Sequence, residues 1–369
     1  MLCLLLFAAC KKKYEPPAIL NGLRALVVDG FLNNSSDTTF IHLGRSKGLL
    51  DTLTPVRETG AQLTIENPDG AIIYSFQPLN DNGDYFIPGM NLDAHSKYRL
   101  RIITANGRQY LSDEVPVVST PPVDSLTFAH TPLGLDIHVN THDDLDSVKY
   151  YRWEFTETWQ YHAAYFASVR YQDGVFIDLA PNEFVYECWR TQPSTQLLLG
   201  TSEQLSKDLI YHFTLRQVDQ DAVELSMKYF ISVKQYGLEK EAYEYIEHLK
   251  KLTEQTGSIF DPQPSEVKGN IHAVRDSSEV VLGYLTASTA EKKELYITND
   301  QVQPWNYKPA CEMFRVYPGF FGDFDAIHDI VPLNVVKNGL VILYVVATKY
   351  ACGDCRALGG ITTKPQFWQ

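Results

Sequence analysis

From Arg24 to Val118 apolar and polar residues alternate in short runs, the period of strands whose two faces meet different surroundings. ALVVDG (residues 25–30) and TTFIHLGRS (38–46) are two such runs. AQLTIENPDGAIIYSF (61–76) holds two more around Asn67-Pro68-Asp69-Gly70, a turn in which proline sets φ and glycine takes a positive one. In KYRLRIITANGRQYLS (97–112) Tyr98, Leu100 and Ile102 share one face, and Asn106-Gly107 supplies the residues of a tight hairpin. Short strands at this density, with no helical period among them, predict an immunoglobulin-like β-sandwich over residues 23–119.

The pattern breaks at VVSTPPVDSLTF (117–128), where Pro121-Pro122 stiffens the chain before a new strand period begins. A second, larger β-rich module is expected over residues 123–369. Its longest run, SVKYYRWEFTETWQYHAAYF (147–166), puts Tyr151, Trp153, Phe155 and Trp159 on one side and Arg152, Glu154 and Thr156 on the other. One stretch changes period. In LEKEAYEYIEHLKKLTEQTG (238–257) Leu238, Ala242, Tyr245, Leu249 and Leu252 recur at four-three spacing, which predicts an amphipathic helix near 238–256 with Gly257 as its stop. A proline-broken loop (257–270) follows, then strands again at 280–288, 295–298 and 339–350. The fold class expected is therefore mainly β: an N-terminal immunoglobulin-like sandwich and a larger β-sandwich-like domain with one inserted amphipathic helix.

The opening MLCLLLFAACKKKYEPP lies outside both modules. Leu2 to Ala9 is far shorter than the roughly 20 residues a membrane-crossing helix needs, and three lysines follow it. An apolar run that ends in small residues before a cysteine predicts a signal peptide over residues 1–9 with Cys10 as the lipidated first residue of a lipoprotein. More than one acyl chain on Cys10 would moor the chain stably, with residues 10–22 as the tether.

Export changes how the cysteines are read. With Cys3 removed and Cys10 acylated, Cys188, Cys311, Cys352 and Cys355 remain, and in an oxidising compartment two disulfides are expected. Four cysteines allow three connectivities; the favoured reading pairs Cys352 and Cys355 outward, to Cys188 and Cys311. Zinc is the rival, but only Cys352-Gly353-Asp354-Cys355 has knuckle spacing, and no βαβ pattern surrounds it as a thioredoxin-like motif requires. The 45 acidic against 32 basic residues, a net charge of −13, argue against nucleic acid as a partner.

Candidate chemistry is sparse. HVNTHDDLDS (138–147) gathers His138, His142, Asp143, Asp144 and Asp146, hard ligands for a cation or else a solvated turn, and Asp81, Asn82 and Asp84 pose the same alternative. No nucleophile stands in a known local setting, and no H-E-x-x-H or phosphate-loop motif occurs, so no catalytic residue, metal site or cofactor is expected and the chain is read as non-enzymatic. Trp153, Trp159 and Tyr161 are the ligand-binding candidates, because aromatic faces stack on sugars and anchor interfaces; the alternative for that row is core packing.

Several stretches together resemble a known family: CKKKYEPP and LVVDGFL at the front, YECW, the long FISVKQYGLEKEAYEYIEHLKKLTEQTGSIFDPQPSEVKGNI, VLGYLTAS, and CGDCRALGGITTKPQFW at the end. The chain resembles the Bacteroidota outer-membrane lipoproteins grouped as a domain of unknown function (family 4249), often encoded beside TonB-dependent receptors. That resemblance implies a lipid-anchored, β-rich protein of the cell outer membrane that works as an accessory or binding partner of such a transporter. It brings no catalytic residues. The alternative expectation is a stand-alone surface lipoprotein that binds carbohydrate or peptide.

Overall fold

The computed structural model describes residues 25–46, 56–254, 269–326 and 329–368. The expected signal peptide, Cys10 and the tether to residue 22 lie outside the described residues. The chain divides into two compact units, one formed by Met1–Val118 with Glu244–Ser288, the other by Ser119–Tyr243 with Thr289–Gln369.

The first unit is a sandwich of two sheets. One runs Val281–Leu282, Leu26–Gly30, Thr39–Arg45, Asp84–Ile87, Gln77–Pro78. The other runs Leu32–Asn33, Ala287–Ser288, Val115–Val118, Lys97–Ile103, Gln109–Ser112, Ile271–Ala273, with Gln62–Glu66 also on Lys97–Ile103. Tyr98, Leu100 and Ile102 are all buried and pack in one core with Leu26, Ile41 and Leu63. Gly70 and Gly107 take φ of +80° in the two turns where the sequence demanded it.

The continuous second module expected over 123–369 is corrected here. Ile271–Ala273 adds antiparallel to Gln109–Ser112, while Val281–Leu282 and Ala287–Ser288 add parallel to Leu26–Val27 and Val117–Val118. Periodicity identifies a strand, but the sheet it joins is set by which edge offers unpaired backbone groups. Glu279 helps to hold the returning segment by accepting from Tyr110 (2.6 Å) and Arg108 (3.2 Å). Buried Asn270 clamps it internally, donating to the Leu285 carbonyl and accepting from the Leu285 N–H. The helix spans Lys240–Glu254, starting two residues later than expected because Leu238 still belongs to the strand Lys228–Leu238.

The second unit has a three-stranded sheet, Val123–Thr131, Gly134–His142, Leu209–Asp219. It also has a five-stranded sheet in the order Glu187–Pro193, Tyr150–His162, Lys228–Leu238, Ala290–Thr298, with Leu198–Thr201 pairing on Tyr150–Trp153. Tyr151, Trp153, Phe155, Trp159 and Tyr161, at alternate positions of one strand, are buried as a row. Trp153 lies so close to Gly200 that an added Cβ there would meet its ring at 2.8 Å. A smaller sheet, Met313–Val316, Val341–Lys349, Ile330–Asn338, and the hairpin Val169–Gln172 with Val175–Asp178 complete the unit.

Candidate functional site

The aromatic candidates do not form a platform. Trp153, Trp159 and Tyr161 are each 1% exposed, so the ligand-binding expectation for them is corrected. The strand continues past them to His162, covered by Glu187–Pro193 on one edge and Lys228–Leu238 on the other, and the period of two carries the whole row inward. Trp153 Nε1 donates to Gln235 at 2.7 Å and the Tyr161 hydroxyl donates to the Cys355 carbonyl at 2.7 Å, which satisfies polar atoms that burial would otherwise penalise.

The cysteines form two bridges, Cys188–Cys355 and Cys311–Cys352, the outward pairing of the C-x-x-C. All four thiols are thereby consumed, which removes the zinc and thioredoxin-like alternatives.

The acidic turn is held together by its own hydrogen bonds. Asp143 accepts from the Leu145, Ser147 and Val148 N–H groups and from the Ser147 hydroxyl. Burial alone would raise its pKa, but these donors hold it below the ordinary carboxylate value. His142 pairs with Asp124 at 2.7 Å, and His138 is buried against His212 with ring centroids 5.0 Å apart. Asp84 in the other cluster is taken by His42 and Asn80. Among the described residues no group of three or more His, Cys, Asp and Glu side chains could hold a metal ion.

His142 carries a pH prediction. Its hydrogen bond to Asp124 raises its pKa above the ordinary imidazole value. A raised folded pKa means the pairing contributes fully below the unfolded pKa and is lost as pH rises through the folded one. An NMR titration is expected to place His142 above about 6.5, and Asp124→Asn to return it towards that value.

A cleft lined by convergent polar groups lies within the second unit and has a volume of about 740 Å³. Phe155 and Glu157 come from the long strand, Gln192 from the neighbouring strand Glu187–Pro193 and Ser194 from just after it, and Thr214 and Arg216 from Leu209–Asp219. Glu157 occupies an inward position of the aromatic row and is 2% exposed. Arg216 Nε donates to both of its oxygens (3.0 and 3.3 Å), the Tyr229 hydroxyl donates at 2.6 Å and Gln192 Nε2 at 2.8 Å. Arg216 also donates to the Gln217 carbonyl and, at 3.4 Å, to Glu224. A carboxylate taken out of water loses several kcal/mol of solvation, so it persists only with this many charge-assisted donors. Burial would lower the Arg216 pKa, yet Glu157 holds it above its ordinary value; burial and Glu157 together push the Tyr229 phenol far up, so it stays a donor. Sequence reading missed Glu157, although a signal was present: it is the one acid in the inward register Tyr151, Trp153, Phe155, Glu157, Trp159, Tyr161.

A second cavity of about 470 Å³ lies between Val169–Arg170, Phe324 and Ile330–Pro332, with the ion pairs Arg170–Glu183 (2.5 Å) and Arg356–Asp354 (2.6 Å) in its wall.

A family model described as a domain of unknown function (DUF4249) matches residues 11–294. No curated protein matches the chain. A solved structure, trypsin-activated alpha-2-macroglobulin from Escherichia coli, is similar at 13% identity over 59% of this chain, with a TM-score of 0.21; the chain spans 15% of that protein, and a likeness this slight carries no argument.

Proposed function

Because this chain belongs to the DUF4249 family of domains of unknown function, which assigns no activity, we propose a role from its geometry and export signals. It is a lipid-anchored, non-enzymatic binding protein of the cell envelope that captures a ligand in the Glu157–Arg216 cleft and serves as an accessory to an outer-membrane transporter of the TonB-dependent type. The observation that carries capture is a buried carboxylate at an inward core position, paired with a half-buried arginine and opening onto a cavity, since charge in a core is costly where packing alone is the task. Binding is favoured over catalysis because both Glu157 oxygens are already engaged by Gln192, Arg216 and Tyr229, which leaves the carboxylate poorly placed to take a substrate proton. Two disulfides fit an oxidising compartment, and the lipobox-like Leu6-Phe7-Ala8-Ala9-Cys10 supplies the anchor. The transporter comes from the resemblance in sequence.

A pull-down of the tagged chain from detergent-solubilised envelopes is expected to recover a β-barrel partner. Recovery of the chain without one would favour the stand-alone carbohydrate- or peptide-binding reading. Cys10→Ser is expected to release the protein from the envelope, and its retention there would overturn the anchoring.

A further inference from the structure

Resting on the reading of this cleft as a capture site, we infer that its ligand is a neutral glycan. Three of the apolar residues that line the cleft are nearly closed off, Phe155 at 7% exposed, Leu198 at 6% and Leu215 at 2%, and Pro193 alone among the apolar lining is exposed. What remains open to a ligand is chiefly amide and hydroxyl, from Gln192, Ser194, Thr195, Gln196, Thr214 and Gln217. Amides and hydroxyls both donate and accept, as sugar hydroxyls do, so each ring hydroxyl can be met in either sense.

Charge narrows the class. Among the described residues Arg216 is the one cation in the lining, and it already faces Glu157 and Glu224 while Asp219 also lines the cleft. One guanidinium against three carboxylates repels phosphates, uronates and nucleotides. Arg216 is nevertheless held in a single orientation by Glu157, Glu224 and the Gln217 carbonyl. Each of its terminal nitrogens carries two hydrogens and uses one in these bonds, which leaves a rigid pair of donors suited to adjacent hydroxyls.

Peptides fit less well, because strand-like peptide recognition sets alternate side chains into pockets and the apolar lining here, Pro193 apart, is covered. The volume of about 740 Å³ falls in the range of roughly 300–1,000 Å³ usual for ligand pockets and has room for more than one sugar ring.

The test uses the full chain in detergent, saturation-transfer NMR and calorimetry. The probes are neutral gluco-, manno-, xylo- and galacto-oligosaccharides, acidic oligogalacturonides and a mixed peptide library. At least one neutral oligosaccharide is expected to bind about tenfold or more tightly than the oligogalacturonides. Gln196→Ala and Thr214→Val, which leave the Glu157–Arg216 pair in place, are each expected to weaken that binding by roughly threefold to tenfold with thermal unfolding unchanged. Peptides that bind and lose affinity in the same two variants, while no neutral glycan does, would overturn the glycan class and leave capture standing. No probe sensitive to either variant would overturn the glycan and the capture reading together.

Discussion

Replacing Glu157 with Ala is expected to destabilise the second unit by about 3–5 kcal/mol, the usual cost of removing one partner from a buried ion pair. Three consequences add in the same direction. Arg216 keeps its charge but loses its nearest counter-ion. The Tyr229 hydroxyl, fully buried, loses its acceptor. The deleted side chain also leaves a void beside Phe155 and Leu215. The paired change Glu157→Leu with Arg216→Met removes both charges and fills the space, and is expected to recover most of the loss, because buried ion pairs and apolar isosteres come out nearly even. Urea unfolding of the oxidised protein checks both variants. A cost under about 1 kcal/mol for Glu157→Ala would mean that water solvates this carboxylate in the folded state.

That single residue also marks how far sequence patterns reach. The period of two places Tyr98, Leu100 and Ile102 on one face and the aromatic row of the long strand on another, because in a strand only parity decides the face. Turn chemistry locates the hairpins at Gly70 and Gly107 for an equally local reason, the need for positive φ. The C-terminal Trp368 joins Trp189 and Phe230 in a buried cluster. Parity cannot say whether a face turns to solvent or to a second sheet, and so Trp159 and Tyr161 read as accessible when they are core. Nor can it say which edge a strand joins. The segment 271–288 completes two sheets whose other strands lie about 150 residues or more earlier in the chain, a pairing decided by long-range closure rather than by local preference. The cleft shares that fate. Arg216, itself braced by Glu224, and Tyr229 meet Glu157 only after separate segments have packed, so the inward acid is visible in the sequence while its partners are not.

The second large effect concerns the outer disulfide. Replacing Cys188 and Cys355 together with Ser is expected to cost about 2–5 kcal/mol and to exceed the cost of the same change at Cys311 and Cys352. On the chain-entropy view the difference follows from the loops, 167 residues against 41. The inner bridge lies within the outer loop and shortens it to 167 − 41 = 126, and the ratio of 126 to 41 is worth about 1 kcal/mol. The fold around the outer bridge should survive its loss, because other bonds hold the same junction. Cys355 N–H donates to the Val185 carbonyl, Trp189 and Ile361 exchange backbone bonds at 2.9 and 2.8 Å, and Arg190 donates to the Leu358 carbonyl. Gly360 makes this approach feasible, since a Cβ there would lie 2.4 Å from the Tyr161 hydroxyl. Urea unfolding of both double variants under non-reducing conditions is therefore expected to show folded proteins with lowered midpoints, the Cys188/Cys355 variant lower by the larger step. The reverse order would mean that disrupted packing around Cys311–Cys352 in the folded state outweighs the freedom regained by the unfolded chain.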